Sequence, residues 1–406
     1  MEYTKIAGGV AAPKGFKASG VHCGIRKNRE KKDLALIAAD CQCEAAALYT
    51  QNRVKGAPLT VTRKNLTNGR AQAVICNSGN ANTCNADGLY IAESMCAAVG
   101  KALNVPAEDV IVASTGVIGQ PLPLEPIVNA IPGLASTLSQ NGGQDAMEAI
   151  MTTDTRKKEI AIEFTLGEKS CIIGGIAKGS GMINPNMATM LCFVTTDVAV
   201  SAEMLQQALS DCVKSTFNMV SVDGDTSTND MLSIMASGKA GNTPITSAGE
   251  DFDAFKEALT VVLTHLSREV ARDGEGATKL VECVVYGAAD VKTARVVAKS
   301  VISSSLFKAA MFGADANWGR VLCAVGYADA DVDVTKIDVS FESAGGAIAV
   351  CKNGAGIDFS EETARSVLVQ DEIRVKVGLN AGNAEATAWG CDLTYDYVKI
   401  NGDYRS

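Results

Sequence analysis

Histidine is almost missing from this chain: His22 and His265 are the two present among 406 residues. A serine–histidine–aspartate arrangement would have to recruit one of them. His265 falls in DFDAFKEALTVVLTHLSREVARD, where apolar residues recur at helical spacing and place it on a helix surface. Neither histidine has the spacing of a zinc pair such as HExxH, so no metal is expected. The thirteen cysteines include one CxC, at Cys41 and Cys43, and no CxxC. Scattered thiols in odd number read as small reduced hydrophobes, not as a disulfide framework. No stretch approaches the roughly 20 apolar residues of a membrane-spanning helix, and MEYTKIAGGVAAPKGF lacks the apolar centre of a secretory leader. Basic residues are in deficit, 37 Lys and Arg against 46 Asp and Glu, which removes the basic face that nucleic acid demands. These absences leave a chain expected in the cytoplasm without nucleic-acid or membrane partners. Small substrates stay open, because a local basic pocket is compatible with an acidic protein.

Apolar material is ample, at 47% of residues, and the length calls for two domains or one large layered unit. Short β-rich runs recur: LALIAA, LTVTR, QAVICN, VIVAS, KEIAIEFTL, SCIIGGIA, TMLCFVTTDVAV, KLVECVVYG, EIRVKVGL and ATAWGCDLTYDYV. Helical periodicity marks Ala92–Ala102, Ser201–Val213, Ala254–Ala271, Asp290–Ser303 and Glu361–Val369. Strands paired in sequence, with helices interspersed irregularly, predict a layered α+β fold over a doubly wound parallel sheet.

The segment KGSGMINPNMATMLCFVTTD, residues 178–197, separates two of these strands. Gly179 and Gly181 open backbone conformations closed to other residues, and Pro185 holds Asn184 toward extended geometry. Two readings fit. One is a glycine-rich turn that leads into a core strand. The other is an N-terminal nucleophile: the Thr189 hydroxyl attacks the Ala188 carbonyl, the acyl group shifts from nitrogen to oxygen, and ester hydrolysis frees the Thr189 amine. That amine, with an ordinary pKa of about 7.7–8.0, then serves as the hydroxyl's own base, which suits a chain with so little histidine. The acidic run VSVDGDTSTND does not make a calcium loop. Counted from Asp223, the positions that need Gly and Glu hold Thr228 and Ile234.

KGSGMINPNMATML is similar to the self-cleavage signature of the ornithine acetyltransferases, the bifunctional glutamate N-acetyltransferases of arginine biosynthesis. The resemblance spans essentially the whole chain. GGVAAPKGF (8–16), CNSGNANTCNADG (76–88), ASTGVIGQPLP (113–123), MTTDT (151–155), VSVDGDTSTNDM (220–231), ARDGEGATKL (271–280), FGADANWGR (312–320) and NGDYRS (401–406) follow in family order. Each is weak alone, but the ordered set is specific.

The resemblance implies a layered α/β/β/α-type sandwich, shared with self-processing aminopeptidases. It implies cleavage between Ala188 and Thr189 into an α chain, 1–188, and a β chain, 189–406, assembled as two of each. Thr189 becomes the nucleophile, and Thr115 and Gly116 the oxyanion hole. Thr152, Lys178, Thr189, Glu275, Asn401 and Ser406 become substrate-binding residues, with Thr153 an alternative to Thr152. Lys178 suits a substrate carboxylate and Glu275 an ammonium; Asn317 and Arg320 receive no defined role. The implied reaction is ping-pong, from N-acetylornithine through an acetyl-threonine to glutamate. It requires no cofactor. Acetyl-CoA is a further acetyl donor for some members, and no residue here separates them from the rest. A self-processing aminopeptidase or amidase is the alternative enzyme, and a glycine-loop binding protein the non-enzymatic one.

Overall fold

The computed structural model describes residues 2–184 and 190–403. Among them two sheets form. The first runs Tyr3–Ile6, Glu159–Leu166, Lys169–Lys178, Leu191–Thr196, Met231–Ala236, Leu34–Tyr49, Arg70–Asn80 and Val110–Val117, with Phe16–Val21 paired to Leu34–Tyr49 off this path. The second runs Ala355–Gly356, Gly346–Lys352, Asp338–Ser343, Glu372–Gly378, Leu280–Ala288, Ala384–Cys391 and Val220–Ser221. The layered α+β architecture expected from the sequence is the one that folds.

Leu191–Thr196 explains its own composition. It lies between an antiparallel neighbour, Lys169–Lys178, and a parallel one, Met231–Ala236. All of its residues are buried, so it reads as a continuous apolar run instead of an alternating one. The helix Glu250–Arg272 buries Phe252, Phe255, Leu259, Val262, Leu266 and Val270, a stripe at three- and four-residue steps. With it the helix reaches strands of both sheets, Glu159–Leu166 and Lys169–Lys178 on one side and Ala384–Cys391 on the other. One apolar cluster therefore joins the sheets.

Four of the expected helices form close to their predicted ends and are capped by polar side chains or ended by a left-handed residue. Ser201 accepts the Met204 amide, Asp290 that of Thr293 and Ser360 that of Thr363, while Asn104 closes Gly88–Leu103. Two expectations are corrected. LTVTR is not a strand but part of the helix Ala57–Asn65, entered through Gly56 with Pro58 in its first turn. Its buried Pro58, Leu59, Val61, Thr62 and Asn65 follow a helical face that five residues are too few to reveal. The run ATAWGCDLTYDYV stops being a strand at Cys391. The Asp392 carboxylate there accepts the Thr278 and Lys279 amides at 2.8 and 3.0 Å, and the chain turns into the helix Tyr395–Asp403.

Candidate active site

Thr115, Gly116, Thr152, Lys178, Glu275 and Asn401 line one cavity of about 160 Å³. Thr153 lines it as well, so both threonines stay in reach of a ligand. Thr189 and Ala188 lie outside the described residues, as does Ser406. Neither histidine lines the cavity. His22 sits 2.9 Å from the Lys31 carbonyl, and burial lowers the pKa of the half-buried His265. Asn317 caps the helix Trp318–Gly326, and Arg320 bonds the Leu306 carbonyl, which gives both a local structural use.

The residues described on either side of Thr189 are held by other segments of the same chain. Met182 and Ile183 donate their amides to the two Asp223 oxygens at 2.6 and 2.9 Å. The Asn184 side chain donates to the Gly224 carbonyl, and its own carbonyl accepts the Thr226 hydroxyl. On the far side Met190 accepts the Met231 amide at 2.9 Å. The acidic run that is not a calcium loop is thus an anchor for this segment. Burial raises the Asp223 pKa although three amides oppose it.

Thr115 and Gly116 belong to the strand Val110–Val117, which continues past the expected end of VIVAS. Its parallel ladder with Arg70–Asn80 slips at Asn80, which faces both Thr115 and Val117. Gly116 has φ 130°, and a Cβ there would stand 2.3 Å from the Gly79 carbonyl carbon; only glycine permits this approach. Asn229 was missed by sequence reasoning. It donates to the Ala81 and Ser114 carbonyls at 2.6 and 2.9 Å, and its oxygen accepts the Thr83 and Thr228 hydroxyls. The Ser114 carbonyl belongs to the peptide whose N–H is that of Thr115, so Asn229 orients that amide. Its signal was the motif VSVDGDTSTNDM, whose chemistry shows only once it meets the strand end.

Lys178 is 8% exposed and lines the cavity without an ion pair or hydrogen bond among the described residues. Buried cations are ordinarily paired, so this one is available to an anion. Its charge is felt by Asp154 and Asp230. Burial pushes Asp230 well above the carboxylate range, against the Ser227 and Thr50 hydroxyls and Lys178. Glu275, also in the lining, accepts the Asn401 side-chain N–H at 2.8 Å. Asn401 rides on a helix with no buried residue, held by the Thr394 hydroxyl on the Gly276 carbonyl at 2.7 Å. Gly181 packs flat on Glu275, for a Cβ there would fall 2.4 Å from the carboxylate carbon. A larger cleft of about 550 Å³, near Arg272, Glu282 and Arg374, has its arginines paired, Arg272 to Glu372 and Arg374 to Glu282. Of these two, the smaller cavity has in its lining both a carboxylate and an ammonium that is unpaired among the described residues.

A small cavity lined by a lysine and a glutamate, with Thr115 and Gly116 of an irregular strand end in its wall, fits an acyl-transfer enzyme for small charged molecules. A model of the ArgJ family matches residues 17–406, and the chain belongs to that family. An arginine biosynthesis bifunctional protein ArgJ of Caldanaerobacter subterraneus is 50% identical over 402 residues, 99% of both chains. ArgJ 1 of Clostridium acetobutylicum, of the same description, is 49% identical over 392 residues, 96% of both. The crystal structure of ArgJ from Bacillus halodurans is 47% identical with a TM-score of 0.50, covering 52% of this chain and 98% of that one.

Proposed function

We propose that this chain cuts itself between Ala188 and Thr189 and then moves an acetyl group from N-acetylornithine to glutamate. The observation that carries the reading is the cavity itself, lined by a Glu275 carboxylate and by a Lys178 ammonium that is unpaired among the described residues. Lys178 takes the substrate carboxylate, and Glu275 with Asn401 takes the side-chain ammonium of ornithine. Thr152 or Thr153 and Ser406 complete the contacts. The Thr189 hydroxyl attacks the acetyl carbonyl and passes its proton to the Thr189 amine. The oxyanion faces the amides of Thr115 and Gly116; the C–N bond breaks and ornithine leaves with that proton. The glutamate amine then attacks the acetyl ester, and N-acetylglutamate departs as the hydroxyl is restored.

Relatives about half identical to this chain are named as bifunctional proteins of arginine biosynthesis, and acetyl-CoA is proposed as a further donor for glutamate. The Bacillus halodurans chain is nearly fully matched by about half of this one, the length relation expected of a protein present as two pieces. The fragments 1–188 and 189–406 would stay together, as two α and two β chains in the cytoplasm. The reaction needs no cofactor.

Incubating the protein with N-acetylornithine and glutamate tests this. Ornithine and N-acetylglutamate should form in equal amounts; free acetate without N-acetylglutamate would mark a hydrolase instead. Glu275→Gln keeps an acceptor for Asn401 but loses the charge. A charged hydrogen bond contributes about 1.5–3 kcal/mol, so KM for N-acetylornithine should rise roughly 10- to 150-fold, with self-cleavage unchanged. Removing Tyr404, Arg405 and Ser406 should likewise raise KM and spare cleavage; an unaltered KM would remove Ser406 from the site.

A further inference from the structure

Beneath the cavity lie three charges almost without solvent. The Lys158 ammonium pairs with Asp154 at 2.7 Å and Asp273 at 2.5 Å, and the three side chains are 0%, 0% and 2% exposed. As a stabilising device such a cluster is poor. Ions lose several kcal/mol of hydration on burial, and apolar replacements are often as stable. Its geometry is more informative, because the Asp154 carboxylate and the Asp273 backbone also hold segments that carry the cavity lining. Asp154 accepts the Gly179 amide, next to Lys178, at 2.7 Å and the Thr152 amide at 2.9 Å. Asp273 accepts the Thr155 and Arg156 amides at 3.0 and 3.2 Å. The Asp273 carbonyl accepts the Ser180 hydroxyl at 2.6 Å, and the Ser180 carbonyl accepts the Glu275 amide at 3.0 Å.

One short path of bonds therefore runs from the Lys178 side of the cavity to the Glu275 side. Two aspartates and Lys158 alone carry a net negative charge, and Lys178 makes the group of four neutral. Burial would raise the Asp154 pKa, but the ammoniums of Lys158 and Lys178 hold it well below the carboxylate range. We propose that the Asp154–Lys158–Asp273 cluster is a positioning device that sets the separation of the Lys178 ammonium from the Glu275 carboxylate, and thereby selects the chain length of the diamino-acid substrate. This rests on the assignment of those two residues to the substrate's carboxylate and amine. Asp154 and Lys158 precede the proposed cleavage site and Asp273 follows it, so the same bonds tie the two fragments together at the pocket.

The test compares N-acetylornithine with N-acetyllysine, one methylene longer, on the purified full protein, Lys158→Arg and Asp154→Asn. Arginine keeps the charge and changes the reach; asparagine keeps the shape and loses the charge. Dissociation constants by titration calorimetry are measured beside kcat and KM with glutamate as acceptor. One methylene is commonly discriminated about 10- to 200-fold, and the unaltered protein should prefer the shorter ligand in that range. Each variant should cut the preference at least about fivefold, through KM and the dissociation constants more than through kcat. A cluster that only holds the fold would weaken both ligands in parallel and leave their ratio unchanged, which overturns the proposal. Failure of both variants to fold would also overturn it, since the role would then be structural. An unaltered protein that binds neither ligand would instead bring down the substrate assignment, so the two failures are told apart.

Discussion

Thr189→Ala is expected to leave a single 42.2 kDa chain on a denaturing gel and to reduce acetyl transfer by at least about 10⁴-fold, the scale seen when a nucleophile that acts as a unit with its base is removed. The two effects share one cause. In the proposed mechanism the hydroxyl that opens the Ala188–Thr189 peptide is the one that later carries the acetyl group, and its base, the Thr189 amine, exists only after the cut. Thr189→Ser should restore both activities in part, because a hydroxyl and an amine are again present. Transfer that survives the alanine change would end the nucleophile assignment, and cleavage that survives it would place the cut elsewhere.

Gly116→Ala should lower transfer by about 10²–10³, the usual loss when an oxyanion donor is displaced. At φ 130° a side chain is strained, and its Cβ would meet the Gly79–Asn80 backbone at 2.3 and 2.5 Å. Strain of this kind costs on the order of 1–3 kcal/mol, and the strand end must shift to relieve it, moving Thr115 and Gly116 in the cavity lining. Gly119→Ala is the control. Gly119 also has positive φ, 76°, but nothing lies within 4 Å of its added Cβ. It should lose stability without a comparable loss of kcat. Equal losses in the two variants would mean that backbone strain, not the position of the amides, sets the effect.

Much of the fold could be read along the chain. The helices Ala202–Cys212, Val291–Ser303 and Glu361–Leu368 carry both their apolar period and a polar cap within one short segment each. The buried strand Leu191–Thr196 declares itself by unbroken apolar character. LTVTR misled because period two over five residues is shared by a strand and by one face of a short helix, and only its tertiary partners separate them.

By itself the sequence determined what chemistry was at hand: scarce histidine, a threonine behind a glycine-rich loop, a lysine and a glutamate in motifs that follow a family's order. Only the tertiary structure decided that Thr115, Thr152, Lys178, Glu275 and Asn401 share one cavity. It also decided that Lys158 and Asp273, 115 positions apart, underlie that cavity, and that Asn229 orients the Thr115 amide from 115 positions beyond Ser114. The physical reason is range. Helical and strand periodicity and capping act over a few residues, whereas a pocket is built from bonds between segments that meet only when the sheets and the helix Glu250–Arg272 have packed.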